Sequence, residues 1–239
     1  MIRSILLYFL LVLYMIYSLF KKIKLERLKK TGTEKEVELY TYNSVKKWSN
    51  FILKAIGANI TVNGRENIPK GACLFVSNHQ GFLDIPIIIS SVDRMVGFIA
   101  KKEIKKVKII SYWMEQINCI FMDRSNIRSS VKSINEGITK LKNGHSMVIF
   151  PEGTRSRGPK VGKFKKGSLK LALKSKVPIV PVAIDGSYKL REGNPHSNLK
   201  PSDVNLTICK PIYTEDLSRE ERENLSDTIR EEIKNLIKE

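Results

Sequence analysis

Two short apolar runs, each continuing directly into a polar segment, constrain the fold of this chain most strongly. The first run, residues 73–76 (CLFV), leads into SNHQGFLD at 77–84, and the second, 147–150 (MVIF), leads into PEGTRSR at 151–157. A short apolar run bounded by turn residues is typical of a buried strand. Since an open α/β sheet carries its chemistry just beyond the carboxyl ends of its strands, both polar segments lie where a site is expected.

Strand-like and helix-like segments alternate through the rest of the core. Further strands are predicted at 60–62, 95–100, 120–122, 177–184 and 204–208, and helices at 103–116, 131–141, 168–174 and after a capping box at Ser218. This alternation predicts an α/β fold with a mixed or largely parallel sheet flanked by helices. The chain of 239 residues fits one such domain with a full hydrophobic core, which we assign to residues 59–239.

Residues 1–58 predict a membrane-anchoring helical segment that precedes this domain. Residues 5–20 carry no charge and are followed by Lys21, Lys22 and Lys24. The apolar stretch is slightly shorter than the roughly 20 residues that cross a bilayer, so a spanning helix and a re-entrant or interfacial anchor are both open. The lysine cluster predicts that the rest of the chain lies on the cytoplasmic face of the cell membrane.

An amphipathic helix is predicted at the end of this N-terminal segment. Its apolar stripe recurs at steps of three and four residues and consists of Val45, Trp48, Phe51, Ile52, Ala55 and Ile56. Such a helix either lies on a membrane surface or packs against a core, and the anchor upstream favours membrane contact. Residues 21–38 before it read as a charged linker or a helical extension of the anchor.

His79 and Asp84 supply the chemistry of the first polar segment. On a straight helix they would lie about 140° apart, so a turn is needed to bring them together. Gly81 offers the backbone freedom for that turn, and Pro86 suits the first turn of a helix beginning near Asp84. A carboxylate on one ring nitrogen leaves the other free to accept a proton, which predicts a general base for a substrate hydroxyl. The alternative is a histidine that only caps a helix or binds a backbone carbonyl.

The second polar segment opens a basic loop that suits an anionic ligand. Its cations are Arg155, Arg157, Lys160, Lys163, Lys165 and Lys166. Arginine forks match phosphate oxygens, whereas the alternative is a plain basic surface loop. Glu152 either steers Arg155 through a salt bridge or points outward as a solvated acid.

Four blocks of this sequence together resemble the glycerolipid acyltransferase family. The two strongest are the NHxxxxD pattern at 78–84 and FPEGTRS at 150–156, and two weaker ones lie at 119–124 and 177–184. The resemblance covers roughly residues 60–210, with the blocks in the order of the family. Two positions depart from the family pattern. Gly81 stands where many members carry Ser or Thr, and Asn118 stands where the block at 119–124 usually opens with Gly.

The resemblance implies a site of two parts. His79 and Asp84 are the catalytic pair. The residues implied in substrate binding are Arg124, Glu152, Gly153, Thr154 and Arg155. Of these, the two arginines are implied to hold a substrate phosphate, with Lys163, Lys165 and Lys166 adding to the positive field. Glu152 and Gly153 shape the loop, and Thr154 either bonds the phosphate or caps the turn.

The implied reaction is acyl transfer from acyl-CoA or acyl-carrier protein to the free hydroxyl of 1-acyl-sn-glycerol 3-phosphate (lysophosphatidic acid), which forms phosphatidic acid in phospholipid biosynthesis. Glycerol 3-phosphate or another lysophospholipid is the alternative acceptor. A membrane-anchored protein that binds anionic lipid or nucleic acid is the alternative without catalysis. The resemblance implies no cofactor.

Composition limits the partners of the chain. The formal net charge of +18 favours polyanions or an anionic membrane surface. Nucleic acid is disfavoured, because Phe164 is the one aromatic residue within the basic loop at 155–166 where bases would stack.

Cys73, Cys119 and Cys209 lie in apolar runs and read as core thiols of a reducing compartment. The histidines and cysteines show no metal-ligand spacing, so no metal site is predicted.

Overall fold

The fold of the described residues is built on one seven-stranded sheet. A computed structural model describes residues 2–123 and 125–238. Its strands are β1 (Ala58–Asn63), β2 (Leu74–Ser77), β3 (Val96–Lys101), β4 (Ile120–Met122), β5 (Ser146–Ile149), β6 (Ile179–Asp185) and β7 (Ser202–Ile208). They are ordered β1-β7-β6-β2-β5-β3-β4. The β6–β7 pair is antiparallel and the other described pairs are parallel, which confirms the predicted α/β fold with a mixed, largely parallel sheet.

Helices connect most of the strands and cover both faces of the sheet. They are α1 (Ile2–Thr31), α2 (Glu34–Ile56), α3 (Asp84–Ser91), α4 (Lys108–Gln116), α5 (Ile127–Lys142), α6 (Lys170–Ser175) and α7 (Arg219–Lys234). The helix predicted at 103–116 is divided into a 3-10 turn at Lys102–Lys106 and α4, because the backbone of Val107 leaves the helical region with φ −91° and ψ 88°. The capping box at Ser218 is present and begins α7.

The core consists of two apolar layers, one on each face of the sheet. Alternate side chains of β2 divide between them, since Leu74 and Val76 join the layer of α5, α6 and α7, whereas Phe75 joins the layer of α2 and α3. All three side chains are fully buried. The central strands are therefore apolar on both faces, as a parallel sheet between helices requires.

The amphipathic stripe of α2 packs inside the domain. Val45, Ile52 and Ile56 are buried in the layer that also holds α3, and Trp48 packs partly buried against it. Of the two environments open to this helix, the structure assigns core packing rather than the membrane contact that we favoured. Burial in the core satisfies the same apolar periodicity, because sequence pattern alone does not distinguish an apolar partner in the protein from one in the lipid.

The first helix lies along the body of the domain over most of its length. Residues 21–31 continue α1 beyond the apolar stretch, so that segment is a helical extension. Arg3 Nη2 donates to the carbonyl of Ile56 at 2.8 Å, and the ring of Tyr14 stacks on Phe51 with centroids 4.6 Å apart. Farther along, Glu26 accepts a hydrogen bond from the hydroxyl of Tyr112 in α4. By length and composition α1 could cross a membrane.

Candidate active site

The two polar segments leave the sheet side by side. β2 and β5 are adjacent and parallel, with Leu74 opposite Met147 and Val76 opposite Ile149, so both strands end at the same edge. Beyond that edge the backbones bond to one another: the N–H of Ser156 donates to the carbonyl of His79 at 2.7 Å. Both polar segments therefore lie next to each other beyond the carboxyl ends of their strands, where a site was expected.

His79 and Asp84 form a hydrogen-bonded pair. Nδ1 of His79 lies 2.7 Å from Oδ2 of Asp84, which is the first residue of α3 and is fully buried. Because a carboxylate only accepts hydrogen bonds, Nδ1 carries the hydrogen and Nε2 is the basic nitrogen. The imidazole also stacks on Phe150, with centroids 4.1 Å apart and an interplanar angle of 15°, and its side chain is 17% exposed. The ring is thus fixed but reachable.

Asp84 is held by two further donors that set its orientation. The backbone N–H of Gly81 donates to Oδ2 at 2.9 Å, and the hydroxyl of Ser187 donates to Oδ1. Ser187 lies two residues beyond the end of β6. Asn78 ties the polar segment at 77–84, which we call the catalytic loop, to the same strand by exchanging two hydrogen bonds of 2.8 Å with the backbone of Ile184. Sequence reasoning missed Ser187, although its place just beyond the carboxyl end of a strand was the signal that could have found it.

The absence of a side chain at Gly81 leaves room for a neighbouring carboxylate. The φ of Gly81 lies outside the left-handed region, contrary to the expectation that it supplies such freedom to the turn. A Cβ built at this position would lie 2.8 Å from Oε2 of Glu192. The departure from the family pattern at Gly81 therefore coincides with the close approach of a carboxylate from another segment.

Glu152 is buried and accepts hydrogen bonds from the backbone, which agrees with the implied loop-shaping role and contradicts both a salt bridge to Arg155 and a solvated position. Its Oε1 accepts the N–H of His79 at 2.7 Å, and its Oε2 accepts the N–H of Gly162 at 2.9 Å. Burial raises the pKa of this carboxyl group, while the two N–H donors act in the opposite direction. Glu152 neither points to solvent nor pairs with Arg155; it fixes the position of the catalytic loop relative to the basic loop.

The partner of Arg155 is Glu192, a residue that sequence reasoning missed. Arg155 Nη1 lies 2.8 Å from Oε1 of Glu192, and the backbone N–H of Phe82 donates to the same oxygen at 2.8 Å. Arg191 Nη1 lies 3.7 Å from it. The carboxylate is 5% exposed, and its Oε2 has no hydrogen-bond partner among the described residues. No sequence signal pointed to Glu192, because its role depends on which loops meet in space.

The remaining predicted residues lie around this centre or outside the described part of the chain. Gly153 has φ 75° and its N–H donates to the carbonyl of Phe150 at 3.0 Å, so it makes the turn that follows β5. Thr154 is exposed and lines a cavity of about 520 Å³ together with Glu152, Gly162, Lys163, Phe164, Lys165 and Lys166. Arg124 lies outside the residues that the structure describes.

The arrangement can accept a proton and attract a phosphate within one small region. The carboxylate of Asp84 stabilises the imidazolium that forms when Nε2 of His79 takes up a proton. The guanidinium of Arg155, 33% exposed, lies near Phe82 through their shared partner Glu192. Phe82 follows His79 by three residues. The guanidinium of Arg155 and the imidazole of His79 therefore border the same loop.

Comparison with known proteins agrees with these features. The model of the family described as Acyltransferase matches residues 59–185. The chloroplastic 1-acyl-sn-glycerol-3-phosphate acyltransferase BAT2 of Brassica napus is 36% identical over 64% of this chain and 44% of its own. The 1-acyl-sn-glycerol-3-phosphate acyltransferase of Borreliella burgdorferi is 34% identical over 74% of this chain and 71% of its own. The chain spans about half the length of several of the curated relatives it matches.

A solved structure extends the likeness to nearly the whole chain. The crystal structure of the 1-acyl-sn-glycerophosphate (LPA) acyltransferase PlsC from Thermotoga maritima superposes with a TM-score of 0.83 at 29% identity, covering 98% of this chain and 96% of that one. The catalytic loop, the basic loop and the strands that carry them all fall within the residues that the family model matches. The chain belongs to the Acyltransferase family.

Proposed function

We propose that this protein transfers an acyl group from a thioester to the free hydroxyl of 1-acyl-sn-glycerol 3-phosphate, forming phosphatidic acid for phospholipid biosynthesis. The observation that carries the proposal is the His79–Asp84 pair, 2.7 Å apart, beside a basic loop that continues from the adjacent strand. The names of the relatives in Brassica napus, Borreliella burgdorferi and Thermotoga maritima support the same acceptor.

In the proposed reaction, His79 acts as general base. Nε2 takes the proton of the lysolipid hydroxyl as its oxygen attacks the thioester carbonyl, while Asp84 holds Nδ1–H and stabilises the imidazolium. The tetrahedral intermediate then breaks its carbon–sulfur bond. The imidazolium returns the proton to the departing thiolate, so the histidine ends the cycle neutral and the products are the ester and a free thiol.

We propose that Arg155 and Arg124 bind the phosphate of the substrate. Arg155 is held near the catalytic loop by Glu192, and Arg124 is included through the family motif. Glu152 and Gly153 position the loop, and Thr154 lies on its exposed side. Lysines 163, 165 and 166 add positive charge along the adjacent cavity, which suits either of the two acidic donors, acyl-CoA and acyl-carrier protein.

We propose that α1 associates with the membrane from which the lysolipid comes, with the catalytic domain (residues 59–239) on the cytoplasmic face. The face of α1 that does not pack on the domain exposes a continuous set of apolar side chains, which includes Ile5, Leu6, Phe9, Val12, Leu13, Ile16 and Phe20. Water-exposed apolar area of this extent is typical of a lipid-contacting surface. Phe82 of the catalytic loop is also exposed, by 53%.

Acyl transfer by purified protein in lipid vesicles tests the proposal. With an acyl thioester and 1-acyl-sn-glycerol 3-phosphate, we expect phosphatidic acid by mass spectrometry, and His79→Ala should lower kcat by about 10²–10⁴-fold. His145→Ala is the matched control, because His145 precedes β5 at the end opposite the site. Parallel reactions with glycerol 3-phosphate and other lysophospholipids identify the acceptor. Turnover of His79→Ala close to that of the wild type would refute the assignment.

A further inference from the structure

We propose that Arg191 is a second phosphate-binding residue and that Arg155 and Arg191, aligned by the carboxylate of Glu192, form a two-guanidinium clamp for the phosphate monoester of the acceptor lipid. This inference rests on the proposed function and extends its binding site. Arg191 belongs to none of the four family-like blocks of the sequence. It follows β6, in the same segment as Ser187.

The clamp is defined by one shared atom. Oε1 of Glu192 lies 2.8 Å from Nη1 of Arg155 and 3.7 Å from Nη1 of Arg191. The carboxylate is 5% exposed, whereas the two arginine side chains are 33% and 30% exposed. The anion is therefore largely buried, and the two cations near it are each partly exposed.

The net charge of Arg155, Glu192 and Arg191 indicates a role for Arg191 in binding an anion. The ion pair of Arg155 with Glu192 has no net charge, so Arg155 alone offers an incoming phosphate hydrogen-bond donors but little net electrostatic attraction. Arg191 gives the group of three a net positive charge in a partly desolvated place, where electrostatic interactions are stronger than in bulk water. A phosphate monoester carries between one and two negative charges near neutral pH, and two guanidinium forks match its oxygens.

The position of Arg191 suits a lipid phosphate. Its guanidinium carbon lies 5.6 Å from the ring centroid of Phe82, and its Nε donates to the hydroxyl of Tyr8 on α1 at 3.3 Å. It thus lies where the catalytic loop meets the apolar helix. A lysolipid whose chain rests on α1 would present its phosphate here and its hydroxyl toward His79.

A purely structural role is the competing explanation, because the contacts with Phe82 and Tyr8 could simply fasten α1 to the catalytic loop. The two roles differ in a measurable way. A fastening residue would affect stability or kcat alike for every acceptor, whereas a phosphate ligand would affect the KM of the acceptor and its discrimination by headgroup charge.

The test compares Arg191→Gln, Arg191→Lys and the matched control Lys189→Gln, a nearby exposed cation whose amine lies over the ring of Tyr188. For Arg191→Gln we expect the KM for 1-acyl-sn-glycerol 3-phosphate to rise about tenfold or more, with kcat and the thioester KM changing less than about threefold. Arg191→Lys should lie between wild type and Gln, and Lys189→Gln should match the wild type. The preference for this monoester over 1-acylglycerophosphoglycerol, a diester with one charge, should fall in Arg191→Gln.

Titration calorimetry with 1-acyl-sn-glycerol 3-phosphate in detergent and no thioester separates this inference from the acyl-transfer proposal. Weaker binding by Arg191→Gln than by wild type supports the clamp whether or not turnover is observed. Equal binding by the two proteins overturns it, even if the wild type forms phosphatidic acid. Absence of turnover in the wild type would count against the proposed reaction alone.

Discussion

The backbone N–H of His79 donates to Oε1 of Glu152 at 2.7 Å, joining two loops whose residues are 73 positions apart. The other oxygen of Glu152 accepts the N–H of Gly162 at 2.9 Å. One buried carboxylate thus fixes the catalytic loop and the far side of the basic loop at once. We attribute the fixed position of the imidazole to this contact and to its stacking on Phe150.

Glu152→Ala should cost both stability and activity, because it leaves two N–H groups without their acceptors. At about 1–3 kcal/mol per unsatisfied buried group, we expect the free energy of unfolding to fall by about 2–6 kcal/mol. Glu152→Gln keeps one acceptor and should lie between. Urea unfolding measures the loss, with Glu103→Ala at an exposed position as the control. A change of less than about 0.5 kcal/mol in Glu152→Ala would contradict the role.

Asp84→Asn should lower kcat by about 10²–10⁴-fold with little change in the KM for either substrate. The amide no longer stabilises the imidazolium and can present an N–H to Nδ1, which favours the wrong tautomer of His79. Ser187→Ala, which removes one donor to Asp84 but leaves the carboxylate, should reduce kcat by about tenfold. Steady-state kinetics of the two variants measures these changes in kcat and KM. The account fails if Ser187→Ala is as inactive as Asp84→Asn.

The three cysteines should be unreactive in the folded protein. Burial raises the pKa of Cys73 to about 11 and the pKa values of Cys119 and Cys209 to about 12, from 9.0. Maleimide labelling near pH 8 should therefore be slow in buffer and complete in guanidinium chloride, because the thiolate is the reactive form. Rapid labelling of native protein would contradict the burial.

The same thiols give a pH dependence of stability with a definite sign. In the unfolded chain they ionise near pH 9.0, but in the folded protein near 11 and 12. The stability that the folded protein gains from keeping these thiols protonated is fully present below pH 9.0. This stability is lost as the pH rises toward 11 and 12. We expect the urea midpoint to fall over this range, and to fall less in a variant with Cys73→Ala and Cys119→Ala than in the wild type.

Gly64→Ala should be among the more destabilising single-methyl changes in the domain. Gly64 has φ 79°, and a Cβ there would lie 2.0 Å from the carbonyl oxygen of Ile208 in β7. We expect a loss of at least about 2 kcal/mol of unfolding free energy. Gly71→Ala should stay within about 0.5 kcal/mol, because among the described residues, apart from its own chain neighbours, no atom lies within 4 Å of the added Cβ. Equal thermal stability of the two variants would disprove the steric explanation.

The local patterns in the sequence predicted most of the elements well. β4 has its predicted bounds at Ile120–Met122, and α3 begins at Asp84 as the turn and Pro86 indicated. These predictions hold because apolar periodicity, capping residues and turn residues act over a few neighbouring positions. Where backbone detail mattered, at Val107 and at Gly81, the local signals were insufficient.

By itself, the sequence determined that strands and helices alternate, that two polar segments follow buried strands, and that His79 and Asp84 belong to one loop. Tertiary structure alone decided that Arg155 pairs with Glu192, 37 residues away, that Ser187 bonds to Asp84 across 103 residues, and that the stripe of α2 faces the core. The physical reason is that strand order brings these groups together. Strand order depends on how whole faces of the sheet are buried, which no short stretch of residues encodes.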